Sequence, residues 1–308
     1  MTLAVLSLLF GVALAGAGGE LFLRGVLGLA RWRRIPPAIA AATFGAFATS
    51  SPEVFVSTIA AFRGEPAIGL GDALGSNVVN IALILAIALL VKPLVTQRKV
   101  IALDFGAAIG ATAAVALVAM DGLISRLDGL LLILGWAGWM TLHVMAARRR
   151  RGEQEVASDT RPWLIAAQGL GGLAMLIGAG VLVVGGATTI AQSFGIAPYL
   201  IGATLVALGT SMPELATTLI AVFRGHDEVG VGGLLGSNVF NALFIVGIAA
   251  TITPIATGGP ALWIALAAGG LAVLCVWPGA SGMLGRGRGV ALILIYALTI
   301  SLLGVFAG

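Results

Sequence analysis

The sequence predicts an all-α polytopic membrane protein of ten transmembrane helices, built as two five-helix repeats of inverted topology. Three observations carry that prediction. The 308 residues are 59% hydrophobic and 10% charged, with mean hydropathy +1.08. Soluble domains carry roughly 25% charged residues, so a water-soluble globule is excluded. The apolar runs are continuous and about twenty residues long, which is the length of a spanning helix; a membrane strand would show ~10-residue alternation instead. Residues 35–80 also align with 196–241 at a constant offset of 161, with 22 identities in 46 positions and no gap. An internal repeat this clear governs the rest of the reading.

The ten apolar segments run roughly over 2–30, 36–62, 67–91, 100–119, 123–147, 163–192, 197–223, 229–252, 260–277 and 289–307. The first is apolar from Leu3 and lacks a basic leader and a cleavage site, so it reads as a retained helix. Glu20 and Arg24, spaced i, i+4 within it, read as a local ion pair. The second segment carries ATSSPE at Ala48–Glu53, and the third carries GDALGSNVVN at Gly71–Asn80. Asp104, Asp121 and Asp128 fall at the ends of the fourth and fifth segments and read as solvated. His143 in the fifth and His226 in a later loop show no metal-ligand spacing. The run RRRRGEQEVASDTR at Arg148–Arg161 is the one long hydrophilic stretch. It divides the chain into a first repeat at 1–147, a cytoplasmic linker at 148–161 and a second repeat at 162–308. The seventh and eighth segments echo the motifs as GTSMPE at Gly209–Glu214 and GGLLGSNVFN at Gly232–Asn241. The single cysteine, Cys275, lies in the ninth segment and reads as a small packing residue.

Lys and Arg set the orientation. With Arg148–Arg151 placed in the cytoplasm, fourteen of the seventeen basic residues fall inside and only Arg63 and Arg126 outside, Arg24 lying within the first segment. Both termini are then external. The formal charge of +4 marks cytoplasmic loops; it does not mark a nucleic-acid surface. Five helices per half is an odd number, so the second half enters the membrane in the opposite sense. Secondary transporters with this inverted repeat hold their site at the repeat interface near the midplane.

Glu53 and Glu214 sit mid-segment, where an ionised carboxylate costs a few kcal/mol or more and persists only beside a partner, a cavity or an ion. Each follows a proline, Pro52 or Pro213, which frees a backbone carbonyl one turn earlier. Both helices are therefore predicted to break there, with the carbonyls toward the centre. Thr49, Ser50, Thr210 and Ser211 add hydroxyls, and Asn80 and Asn241 add amide oxygens. An all-oxygen set suits hard cations such as calcium and sodium. Ser76 precedes Asn80, and Ser237 precedes Asn241, by one turn. Gly71 with Gly75, and Gly232 with Gly236, form small-xxx-small faces for close helix approach. Asp72, whose repeat counterpart is Gly233, lies near the outer end of its helix and reads as an entrance or helix-terminal charge.

These residues resemble the sodium/calcium exchanger family of prokaryotes, within the cation/calcium exchanger superfamily. That family's two repeats carry Gly-Thr-Ser-x-Pro-Glu and Gly-Ser-Asn-x-x-Asn/Asp turns, and both occur twice here in the same order. The resemblance implies an antiporter, not an enzyme, in the cytoplasmic membrane. It would extrude calcium against inward sodium flow by alternating access, without a cofactor. It also implies four central cation sites and a first and sixth helix that slide across the core. Position by position, Glu53 and Glu214 match the bridging carboxylates, and Asn80 and Asn241 the third- and eighth-helix ligands. Thr49, Ser50, Thr210 and Ser211 match hydroxyl and carbonyl ligands, Ser76 and Ser237 flank the outer sites, and Ala46 and Ala207 match backbone-carbonyl ligands. Ala48 stands where the family has glycine. Asn at both motif ends leaves two formal negatives at the centre and, by analogy with animal relatives, argues against potassium dependence.

Two other functions compete. In a calcium/proton antiporter, a proton on the paired carboxylates would replace sodium; such relatives show a different motif ending and an acidic insert, neither present here. An intramembrane enzyme would use the paired acids with a nucleophile–base pair or a metal-ligand cluster, and the sequence shows neither.

Overall fold

The computed structural model describes residues 2–32, 46–149 and 161–305 and is almost wholly helical. Helix α1 spans Thr2–Trp32, α2 Ala46–Thr49, α3 Ser51–Phe62, α4 Pro66–Val91, α5 Arg98–Val118 and α6 Arg126–Arg149. In the second half α7 spans Pro162–Phe194, α8 Pro198–Thr210, α9 Met212–Phe223, α10 Asp227–Ile252, α11 Pro260–Val276 and α12 Arg286–Val305. Proline stands in the first turn of α3, α4, α7, α8, α9 and α11, where its missing N–H would be unpaired in any case. Among the described residues, seven helices are long and apolar enough to cross a membrane, and eight when the bent pair α8–α9 is taken as one span. The expected ten would need two more: α3 with α2, before which the residues lie outside the description, and α11, apolar but only 17 residues long. Most of the linker at 148–161 also lies outside the described residues.

Burial separates two classes of helix. The central helices α4 and α10 are each 78% buried, whereas α6 is 17% and α12 22% buried. Ile81, Ile84 and Leu85 of α4 and Phe240, Ile245 and Val246 of α10 form the heart of the main core. Leu130, Leu131 and Leu134 of α6 and Leu294 and Leu298 of α12 point outward, an apolar surface suited to lipid.

Helices α1 and α7 pack on each other along a glycine seam. Gly11 meets Val183, Gly18 meets Met175 and Leu176, and Gly25 meets Gly169, so the two helices run antiparallel. A Cβ at Gly25 would come within 2.4 Å of the Gly169 nitrogen, and one at Gly172 within 2.3 Å of the Phe22 nitrogen. Only small residues allow such backbone contact.

Short strands tie the halves together at both ends of the molecule. Strand β1 (Leu94–Val95) pairs antiparallel with β4 (Met283–Leu284), and β2 (Leu123–Ile124) with β3 (Ile255–Ala256). Each ribbon therefore takes one strand from each half. Thr96 N donates to Gly282 O at 2.9 Å beside the first ribbon, and Thr257 N donates to Gly122 O at 2.9 Å beside the second. Arg286 likewise donates to Val91 O, and Arg126 to Ile252 O. The end of α4 meets the start of α10 through Lys92 and Asp227, 2.9 Å apart. The end of α10 returns to α3, where Thr253 Oγ1 donates to Ala61 O at 2.8 Å. Helices α4 and α10 thus also run antiparallel.

Candidate cation-binding centre

The two motif helices break where the prolines predict. Ser50 separates α2 from α3 with φ −87° and ψ 13°, and Ser211 separates α8 from α9 with φ −80° and ψ 7°. The second break bends the chain by 43°. Both breaks are narrow: Val54 N donates to Ser50 O and Leu215 N to Ser211 O, each at 3.1 Å, so the ladder resumes within a turn. The proline removes the donor for the carbonyl four residues back, at Ala48 and Gly209.

Glu53 and Glu214 follow these breaks and are 0% and 2% exposed. The hydroxyls around each come from the other half. Ser50 Oγ donates to Glu214 Oε1 at 2.9 Å, Thr49 also lies against Glu214, and Thr210 lies beside Glu53. Both Glu53 oxygens, Glu214 Oε2 and Ser211 Oγ are buried without a hydrogen-bond partner among the described residues. A buried carboxylate left so is costly unless a cation or proton joins it.

The long helices supply the rest. The chain winds into π-helix at Val79–Leu85 of α4 and Phe240–Ile245 of α10, so Asn80 and Asn241 fall within the irregular turns. Such turns often mark functional sites. Both asparagines are fully buried, and Asn80 Oδ1 and both amide atoms of Asn241 have no partner among the described residues. Ser76 and Ser237 are buried one turn away; Ser76 Oγ lies 3.5 Å from Ala207 O, which begins the last turn of α8. Ala46 opens α2, and its side chain lies outside the described residues. Among the described residues, no three His, Cys, Asp or Glu side chains converge tightly enough to hold a metal alone. Any cation here would therefore be shared by carboxylate, hydroxyl, amide and carbonyl oxygens, the ligand mixture of calcium and sodium.

Several residues lie where their sequence did not place them. Asp72 is no entrance charge: it is fully buried, and its Oδ1 accepts from Thr210 Oγ1 at 2.9 Å. The cause is the close approach of α8. A Cβ at Gly71 would come within 2.2 Å of Tyr199 O, and one at Gly75 within 2.5 Å of Ala203 O. The face at Gly232 is looser, with only Asp104 Oδ2 at 4.0 Å. Asp104 is not solvated either; it is 8% exposed, and His143 Nε2 of α6 lies 2.6 Å from its Oδ1. Asp121 is exposed, and half-buried Asp128 accepts from Ser125 at the start of α6. The Glu20–Arg24 pair forms at 2.8 Å.

Asn77 and Asn238, the asparagines directly after Ser76 and Ser237, were missed. Asn77 Nδ2 donates to Asn238 O at 3.1 Å, and Asn238 Nδ2 donates to Asn77 O at 3.0 Å. This reciprocal clasp fixes α4 on α10. Asn238 Oδ1 also accepts from Asn80 Nδ2 at 3.1 Å, which leaves the Asn80 oxygen as its open group. The signal was present, since both asparagines recur at the repeat offset inside apolar helices.

A family model described as "Sodium/calcium exchanger protein" matches residues 3–145 and 164–305. The putative antiporter CaxA of Alkalimonas amylolytica is 34% identical over 262 residues, which cover 82% of each chain. The inner membrane protein YrbG of Escherichia coli (strain K12) is 34% identical over 264 residues, covering 82% of this chain and 81% of that one. A solved structure of the sodium-calcium exchanger NCX_Mj, soaked with Na+ and Sr2+, superposes with TM-score 0.68 at 25% identity, covering 97% of this chain and 98% of that one.

Proposed function

The chain belongs to the sodium/calcium exchanger family, and from that premise we propose a secondary active antiporter that exchanges calcium for sodium by alternating access. The observation that carries this reading is the pair of buried glutamates with oxygens unpaired among the described residues, ringed by hydroxyls from the opposite half. Its cation ligands are Glu53, Glu214, Asn80, Asn241, Thr49, Ser50, Thr210 and Ser211. Ser76 and Ser237 flank them, and Ala46 and Ala207 contribute carbonyls. Calcium and sodium are cargo, and no cofactor takes part.

We further infer ten spans in two inverted repeats, 1–147 and 162–308, joined by a cytoplasmic linker at 148–161. The antiparallel pairings of α1 with α7 and of α4 with α10 support inversion, as do the reciprocal ribbons. Both termini face outward from a prokaryotic cytoplasmic membrane, and α1 with α7 is the pair that slides.

The test is calcium uptake into proteoliposomes holding the purified chain. An outward sodium gradient should drive uptake, and a pH gradient alone should not. Uptake driven only by the pH gradient would replace this reading with calcium/proton exchange, in which a proton takes sodium's place on the glutamates.

A further inference from the structure

We propose that Asp72 is a third carboxylate of the cation centre, one that sets how sodium competes with calcium. The inference rests on the exchange reading above but concerns a residue outside the repeated motifs. Asp72, Ser76 and Asn80 stand at i, i+4 and i+8 on α4, so they form one stripe along the helix. That stripe is fully buried. Asp72 lies against Thr210 of α8, and Ser57 of α3 and the Glu214 carboxylate are within electrostatic reach of it. Glu53 in turn has both Glu214 and Asp72 as neighbouring acids.

Asp72 is not held there as a structural ion pair. The salt bridges among the described residues are Glu20–Arg24, Lys92–Asp227 and Asp104–His143, and none includes it. Its printed hydrogen bond comes from Thr210, whose single hydroxyl proton is shared with the carbonyls of Val206 and Ala207. Its Oδ2 is buried with no partner among the described residues. A carboxylate so placed takes up a cation or, when none is bound, a proton. The glycine contacts of α8 close this seam against water, since a Cβ at Gly202 would lie 3.0 Å from the Asp72 nitrogen.

The three acids do not converge on one point. A divalent ion matched by two glutamates therefore leaves Asp72 to a neighbouring position. Displacing that ion with monovalent cations requires more than one, and each needs nearby negative charge. Asp72 supplies it on the Pro66 side of the centre, and Gly233 supplies none at the repeat counterpart.

The experiment measures equilibrium calcium binding to the purified full chain in detergent, titrated with sodium. Asp72→Asn is compared with the unmodified protein and with Asp121→Asn, a neutralised exposed acid. Calcium affinity should fall modestly. The sodium needed for half-displacement should rise by roughly a hundredfold, the weight of one unit charge about a turn away at an effective dielectric of about 20. The displacement curve should also become less steep. Asp72→Ser, smaller and neutral, gives the same reading should the amide variant aggregate. A sodium curve that superposes on the unmodified protein's would overturn the proposal and leave sodium/calcium exchange intact. If sodium fails to displace calcium from the unmodified protein, the exchange reading fails instead. Asp72 is then judged on calcium alone: unchanged calcium affinity in both neutral variants removes it from the centre.

Discussion

The two halves of the proposed cation centre carry the same motifs in unequal surroundings. In one, Glu214 takes a hydrogen bond from Ser50; in the other, both Glu53 oxygens and Ser211 Oγ have no partner among the described residues. Asn80 is tethered to Asn238, whereas its counterpart Asn241 has neither amide atom engaged by a described residue. Asp72 faces Thr210, whereas its counterpart is Gly233. A sequence repeat fixes which ligands are present but not how they are held. Glu214, Asn80 and Asp72 each hold one bond to protein and keep one open oxygen, whereas both Glu53 oxygens and both Asn241 amide atoms are open among the described residues.

The strongest way to break this comparison is to remove its charges singly. Glu53→Gln and Glu214→Gln should each abolish calcium exchange in proteoliposomes. A unit pair at 4 Å and an effective dielectric of 20 is worth about 4 kcal/mol, roughly a thousandfold in binding. Near-normal flux in either variant would dismiss the proposed site. If the unequal hydrogen bonding matters, Glu53→Gln is the more damaging of the two.

Packing offers the next largest contrast. Gly71→Ala drives a methyl against Tyr199 O and should destabilise the fold by about 1–3 kcal/mol, read as a lowered melting temperature in detergent. Gly232→Ala, its counterpart, meets only Asp104 Oδ2 at 4.0 Å and should stay within about 0.5 kcal/mol of the parent. Equal losses would mean that the two seams are closed alike.

The asparagine clasp is predicted to be lopsided. Asn238→Ala strands both Asn77 O and Asn80 Nδ2, while Asn77→Ala strands only Asn238 O. The first should cost about 1 kcal/mol more in stability, and it alone should also weaken calcium binding by loosening Asn80. Smaller still is the contrast between the serines. Ser50→Ala should lower stability and Ser211→Ala calcium affinity, each by about 1 kcal/mol, because of the two only Ser50 is bonded to a described residue. Unfolding and calcium titrations of the same samples decide it.

The buried placement of Glu53, Glu214, Asn80 and Asn241 was legible in the sequence because charge and amide are conspicuous in apolar runs, and the echo marked each twice. The helix breaks were legible for the same local reason, since Pro52 and Pro213 act on their own turn. Burial of Asp72 was not. Distance from a helix end is a poor guide to depth where another backbone passes at van der Waals contact. The glycines at 71 and 75 announced that approach, but nothing local names the element that makes it. Asp104 was misread likewise, because His143 reaches it from a different helix. The clasp of Asn77 and Asn238 depends on the crossing of α4 and α10, which exists only in three dimensions.

The two ribbons carry a mechanical consequence. Each is a lap joint between the halves, one at either end of the molecule, with a threonine–glycine bond riveted beside it. A body braced at top and bottom cannot rock about a central pivot, so its halves behave as a stator. Motion is left to whatever lies outside the brace, and the tight glycine seam makes α1 and α7 one unit there. A disulfide across a joint, through Val95→Cys with Met283→Cys, should therefore leave flux unchanged. The same staple between α1 and α3 should seize it.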